Sequence, residues 1–367
     1  MEDERTMKTL KTALSSLLLM SGTVVACSDD AGSGGEAVGG GGAEVGGSSE
    51  GGQPEGAASA GGASQGGGGA AATVEVVAVL DAAAFELPEG LAVRGDETYV
   101  GFAFTGAVEA LDLATGARSP FGAAPPPPPN TSFMTGLTTD DQGRVYAAYV
   151  SFTADAVPGV YRAEPGGGEL ELFSTHPQLV FPNGFAWGDD GSLYVTDSAL
   201  GGVFKIDPSG AAELWLSDPL LAGSLEACGP HGDIAVGANG VVFKDGALTI
   251  ASSDQALVAR VPISRAGEPG PLAIVAGPDC AELAGIDGLT WDDDGQLLAA
   301  INRANKVVSI DAAGGVTTIA EGAPLDFPAS LELAGDGDDR ALVVTSFALA
   351  AFLSGGDPQP AIVRIVR

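Results

Sequence analysis

Residues 182–208 read P-N-G-F-A-W-G-D-D-G-S-L-Y-V-T-D-S-A-L-G-G-V-F-K-I-D-P, and the pattern returns along the chain. It holds a short apolar strand (Phe185 to Trp187), an acidic glycine turn (Asp189, Asp190, Gly191) and an alternating strand (Leu193 to Thr196). A turn at Gly201 and Gly202 and a third strand (Val203 to Ile206) complete the unit. Short alternating runs joined by Asp- and Gly-rich turns make an antiparallel meander. One meander cannot bury both of its faces, so the unit is expected to stack on copies of itself.

Five further copies are present. They begin P-E-G-L-A-V at 88, M-T-G-L-T-T at 134, A-N-G-V-V-F at 238, I-D-G-L-T-W at 286 and P-A-S-L-E-L at 328. Their spacing of 42 to 56 residues suits four-stranded propeller blades rather than helical or leucine-rich repeats. The last copy supplies only three strands, while an alternating run at 74–80 precedes the first. The sequence therefore predicts an all-β, six-bladed β-propeller over 73–367, with the N-terminal strand closing the last blade. Helical periodicity is absent, and the prolines Pro125 to Pro129 read as a rigid surface connector between the first two blades.

Ahead of the repeats, Lys8 and Lys11 precede an apolar run from Ala13 to Val25, too short to span a membrane and laid out like a secretory signal. Its V-V-A-C ending resembles a bacterial lipobox, which makes residues 1–27 a lipoprotein signal peptide with Cys27 lipidated; Met7 is an alternative start. Residues 28–72, almost all Gly, Ala, Ser and Glu, cannot offset their ordering entropy and read as a disordered tether. The G-x-S-x-G match at Gly47 to Gly51 lies within it, without the strand and helix a nucleophile elbow needs. The expected location is the cell envelope, lipid-anchored, on the periplasmic or cell-surface side. Cys228 and Cys280 remain, and in an oxidising compartment they are expected to form a disulfide.

With 48 acidic against 16 basic residues, a net charge of −32, the surface repels phosphate backbones, and nucleic-acid binding is disfavoured. Asp292 to Gly295 and Asp336 to Asp339 resemble fragments of a calcium loop. Arg303 and Phe347 occupy the position where such a loop needs Glu, so both read as hairpin turns. Trp187 and Trp291 occupy equivalent positions facing between blades and read as core.

The residue just before each inner strand is Glu89, Thr135, Asn183, Asn239, Asp287 and Ala329. In a propeller these positions ring the central channel. Carboxylates and amides converging there suit a hard divalent cation, Ca²⁺ foremost, with Zn²⁺ or Mn²⁺ possible on carboxylate ligands. Taken singly, Asn, Asp or Glu before Gly is also an ordinary turn former.

The P-E-G-L, P-N-G-F-A-W, A-N-G-V-V-F and I-D-G-L-T-W motifs, in the order Glu, Asn, Asn, Asp, resemble the SMP-30/gluconolactonase/LRE family of six-bladed propellers. The resemblance implies metal ligands at Glu89, Asn239 and Asp287, with Asp287 also a general base, and Asn183 as a pocket residue beside metal and substrate. It implies metal-assisted hydrolysis of a lactone or ester, with no Ser, Cys or His nucleophile. Phe181 stands where the family's sugar lactonases carry a substrate-contacting Arg. With Phe133 at the mouth and only the Thr135 hydroxyl nearby, a less polar ligand is expected. His231 is a candidate proton shuttle or a loop residue; His176 reads as surface. Three readings follow: an envelope metal-dependent hydrolase, a non-catalytic propeller binding a small molecule, glycan or protein at its top face, and a scaffold whose cation staples the blades. The expected partners are a small-molecule ligand or substrate and the membrane that holds the lipid anchor, and a monomer is expected.

Overall fold

The computed structural model describes residues 72–229, 234–337 and 340–366. The signal run with Cys27, the tether up to residue 71, His231 and the pair Asp338 and Asp339 lie outside the described residues.

Six antiparallel blades are present, each with an inner strand leading its sheet. The inner strands of blades 1 to 6 are Pro88–Arg94, Ser132–Thr139, Pro182–Trp187, Ala238–Lys244, Ile286–Trp291 and Pro328–Ala334. Each touches the inner strands on either side, and the sixth touches the first, so the set closes into a ring. Closure works as the sequence predicts. Strand Thr73–Val79 pairs antiparallel with Ala361–Val366 as the outer strand of blade 6, which removes that edge.

Turn chemistry explains much of the acidity. Asp140 Oδ1 accepts from the backbone N–H of Gln142 and Arg144, Asp292 Oδ1 from Gln296, and Asp207 Oδ1 from Ser209 and Ala211. These carboxylates close the hairpins by bonding their own backbone a few residues on. Asp292 to Gly295 is thus a hairpin turn, as read from the sequence.

Burial is organised by seam rather than around one centre. Tyr194, Val203 and Trp215 of blade 3 pack on Val241, Leu248 and Ile250 of blade 4, and each other pair of neighbours has its own cluster. Stability is therefore a sum of nearest-neighbour interfaces. Trp187 and Trp291 pack within two of these clusters as core residues.

Two features depart from the sequence reading. A two-residue strand, Gly168–Glu169, adds in parallel to the outer edge of blade 1 at Gly122 and Ala123. The approach is so close that a Cβ on Gly122 would lie 2.4 Å from the Gly168 carbonyl oxygen. A short helix, Leu349–Ser354, interrupts blade 6 between its second and third strands. At six residues it is under two turns long and leaves no periodicity to read.

Candidate functional site

Glycine follows the first five ring residues, and the structure gives it a reason other than a turn. A Cβ on Gly90, Gly136, Gly184, Gly240 or Gly288 would lie 2.2–2.6 Å from the carbonyl oxygen of the next blade's ring residue. None of the five has positive φ. Glycine is there so that neighbouring inner strands can approach, and this approach draws the ring residues together around the channel. The sixth copy has Ser330 instead. At that seam Thr345 Oγ1 accepts from the Ser330 N–H and donates to the Glu89 carbonyl oxygen at 3.2 Å.

All five polar ring residues are buried: Glu89, Thr135, Asn183, Asn239 and Asp287. Antiparallel pairing puts the residue just beyond each second strand beside them. In blades 3, 4 and 5 that residue is polar and holds the ring side chain. Asn183 Nδ2 donates to Ser198 Oγ at 3.1 Å and Asn239 Nδ2 to Ser253 Oγ at 3.0 Å, while Asn302 Nδ2 donates to Asp287 Oδ2 at 3.2 Å. The two serines then donate across their seams, to the Ala238 and Ile286 carbonyls. Thr135 also donates across its seam, to the Pro182 carbonyl at 2.8 Å, so its proton is used in fastening the blades.

For the two carboxyls such contacts do not offset burial. Burial above all, and then the charge of Asp287, hold the Glu89 carboxyl well above the usual carboxylate range. Burial pushes Asp287 up to about 7, against the opposing pull of hydrogen bonds from Asn302 and Asn239. Glu89 Oε2 and Asn239 Oδ1 are buried without a hydrogen-bond partner. Unsatisfied buried acceptors are rare and costly. Here they accompany two crowded carboxyls, and a hard oxygen-seeking cation held by Glu89, Asn239 and Asp287 would satisfy all of them. The donor set therefore fits the ion expected from the sequence. Among the described residues no group of three or more His, Cys, Asp or Glu side chains could hold a metal, so amide oxygen is a necessary part of this set.

A cavity of about 50 Å³ is lined by Asn183, Asn239, Asp287 and the glycines Gly136, Gly184, Gly240 and Gly288, and also by Glu332. Burial pushes Glu332 up to about 7, with the Thr290 hydroxyl as its counterweight. The sequence reading missed this acid, although the signal was visible. At that register the other copies have Ala92, Thr138, Ala186, Val242 and Thr290. Also missed were Asn302, Ser198 and Ser253, whose roles depend on strand register.

Phe181 is buried on the site face, its ring 5.4 Å from Phe133 and 5.8 Å from Phe152. His176 packs on Phe204, away from the ring. Cys228 and Cys280 form a disulfide between the loops entering blades 4 and 5, with Cα atoms 5.1 Å apart.

No family model matches the chain, and no curated protein matches it. Solved structures do match. A luciferin-regenerating enzyme aligns at TM-score 0.58 and 14% identity over 81% of this chain and 95% of its own. A candidate gluconolactonase aligns at 0.57 and 18% over 81% and 93%. The calcium-binding protein regucalcin from Agrobacterium tumefaciens aligns at 0.53 and 18% over 77% and 92%. At these identities the likeness is one of fold, and the fold is a six-bladed propeller.

Proposed function

We propose that the chain is a divalent-metal-dependent hydrolase of the lactonase or esterase type, tethered to the cell envelope. The observation that carries this is the pair of crowded buried carboxyls, Glu89 and Asp287, beside the unpartnered Asn239 oxygen. The candidate gluconolactonase and the calcium-binding regucalcin among the fold neighbours support the same chemistry. Fold alone does not choose a reaction, so the weight rests on the site.

A hard cation held by Glu89, Asn239 and Asp287 would supply polarisation of the substrate carbonyl. Asp287 is the general base. Its Oδ2 accepts from Asn302 Nδ2, which holds the carboxylate in place toward the attacking water. The Asn183 amide nitrogen is held by Ser198, which aims its oxygen as an acceptor for a substrate hydroxyl or a water. His231 lies outside the described residues and is given no step.

Full-length protein assayed on a lactone and ester panel, with and without Ca²⁺, Mn²⁺ and Zn²⁺, should show metal-dependent turnover that Asp287→Asn abolishes. The replacement of the expected Arg by Phe181 favours a second reading, a ligand-binding propeller without turnover. Stabilisation by metal with no hydrolysis of any panel member would establish that reading instead. The tether rests on Cys27, and loss of membrane association in Cys27→Ala cells would support it.

A further inference from the structure

The site face divides into unlike halves. The residue that follows the pairing partner of each ring residue's predecessor is Ser198, Ser253 or Asn302 in blades 3 to 5, but Phe347, Ala103 or Val150 in blades 6, 1 and 2. Ring position six is Ala329, and it packs with Leu87, Ala103 and Phe347. Against that cluster lie Phe104, Phe327, Leu349 and Phe352, all half-buried with surface to offer. The helix that the sequence did not foretell thus places Leu349 and Phe352 over the sixth ring position. Across Glu89 from this cluster, Phe133 and Phe152 are half-buried beside Phe181. In ring order Glu89 thus lies between the blades that carry these two apolar groups, whereas Asp287 and the two ring amides are each hydrogen-bonded.

We propose that the substrate is an uncharged lactone or ester carrying an aliphatic or aryl substituent, with its carbonyl toward Asp287 and Asn239 and its substituent on the apolar half built from blades 6, 1 and 2. This rests on the hydrolase reading for the carbonyl end. The substituent end rests on the packing alone. A polyhydroxylated lactone would bring hydroxyls against half-buried Leu and Phe side chains that cannot bond them, and each would count against binding. For an anionic group on the substrate, Arg303 and Lys306 of blade 5 are already paired to Asp254 and Glu282.

Two measurements on the full chain test this. The first is kcat/KM, with Ca²⁺ present, for γ-lactones with methyl to hexyl substituents and for a sugar lactone. The expected result is a rise of roughly threefold per methylene, below the fourfold ceiling for full burial, and a sugar lactone at least about tenfold worse than the hexyl compound. The second is calorimetric binding of the corresponding non-hydrolysable lactams, which is expected to follow the same order. Phe133→Ser and Phe352→Ser, each checked for a wild-type circular dichroism melt, should flatten the dependence on chain length. Length-dependent lactam binding without turnover of any lactone would overturn the hydrolase reading and uphold the ligand class. Turnover that is flat with length, or that favours the sugar lactone, would overturn the ligand class and uphold the hydrolase. No lactam binding at all would also overturn the ligand class.

Discussion

Replacing Asp287 by Asn should make the metal-free protein more stable at alkaline pH while abolishing turnover. Asp287 is pushed from an ordinary value of 3.8 up to about 7, with burial as the cause. A rise of that size corresponds to roughly 4 kcal/mol once the group is ionised. The charge also raises Glu89, so relief at one site is shared with the other, and a net gain of roughly 2–4 kcal/mol is expected. Because the folded-state value is raised, the stability contributed by the neutral acid is whole below about pH 3.8 and is lost as pH climbs through about 7. Wild type and variant should therefore melt together near pH 4 and separate progressively up to pH 8. At roughly 2–4 °C per kcal/mol, taken at the low end for a unit this large, the gap should be about 4–8 °C. The substitution keeps the local bond, since an amide oxygen still accepts from Asn302 Nδ2. Millimolar Ca²⁺ should raise the wild-type midpoint and leave that of the variant unmoved. The assay is a melt followed by circular dichroism across pH, with and without Ca²⁺. A variant that melts at or below wild type at pH 8, with no dependence on pH, would refute the crowding of these carboxyls.

Gly240→Ala would set a methyl 2.2 Å from the Asp287 carbonyl oxygen; the seam must open, costing roughly 1–3 kcal/mol in urea melts and weakening the stabilisation by Ca²⁺. Cys228→Ser removes a link across 52 residues, and loop-closure entropy sets the loss at about 4 kcal/mol by chemical denaturation. Glu332 is also raised to about 7 by burial, so its contribution is likewise lost as pH rises through 7. Glu332→Gln should flatten that part of the pH–stability curve, gaining roughly 1–3 kcal/mol at pH 8 in the metal-free protein.

The architecture was legible because a propeller writes itself into its turns. Each copy repeats an apolar run, an Asp–Gly turn and an alternating strand, and six copies with one spare leading strand leave little choice of closure. The ring residues were legible for the same reason: aligning the copies picks out Glu89, Asn183, Asn239 and Asp287 before any coordinate is known. The residues that hold them were not. Asn302, Ser198 and Ser253 matter only through pairing register, and each inner strand shifts register after its first residues, as between Ile286 and Leu289. A residue count along the sequence therefore misplaces the partner. The strand Gly168–Glu169 was hidden because a pair of residues in a glycine run has no alternation to show.

The two halves of the site face are also under different constraints. In blades 3 to 5 the groups that hold the ring side chains fasten the seams as well. Ser198 bonds both Asn183 and the Ala238 carbonyl, and Ser253 bonds both Asn239 and the Ile286 carbonyl. Thr196 adds a 2.6 Å bond to the Asn239 carbonyl. Changing any of these for a new ligand would leave a buried backbone acceptor unmet, at a cost of roughly 1–3 kcal/mol. In blades 6, 1 and 2 the corresponding positions make apolar contacts only, and size-conserving apolar exchange there costs less than about 1.5 kcal/mol. The carbonyl end is thus tied to the fold, whereas the substituent end can change without disturbing it. Size-conserving apolar exchanges at the half-buried Leu349 and Phe352 should therefore alter which substituent is preferred before they alter the metal site or the melting temperature.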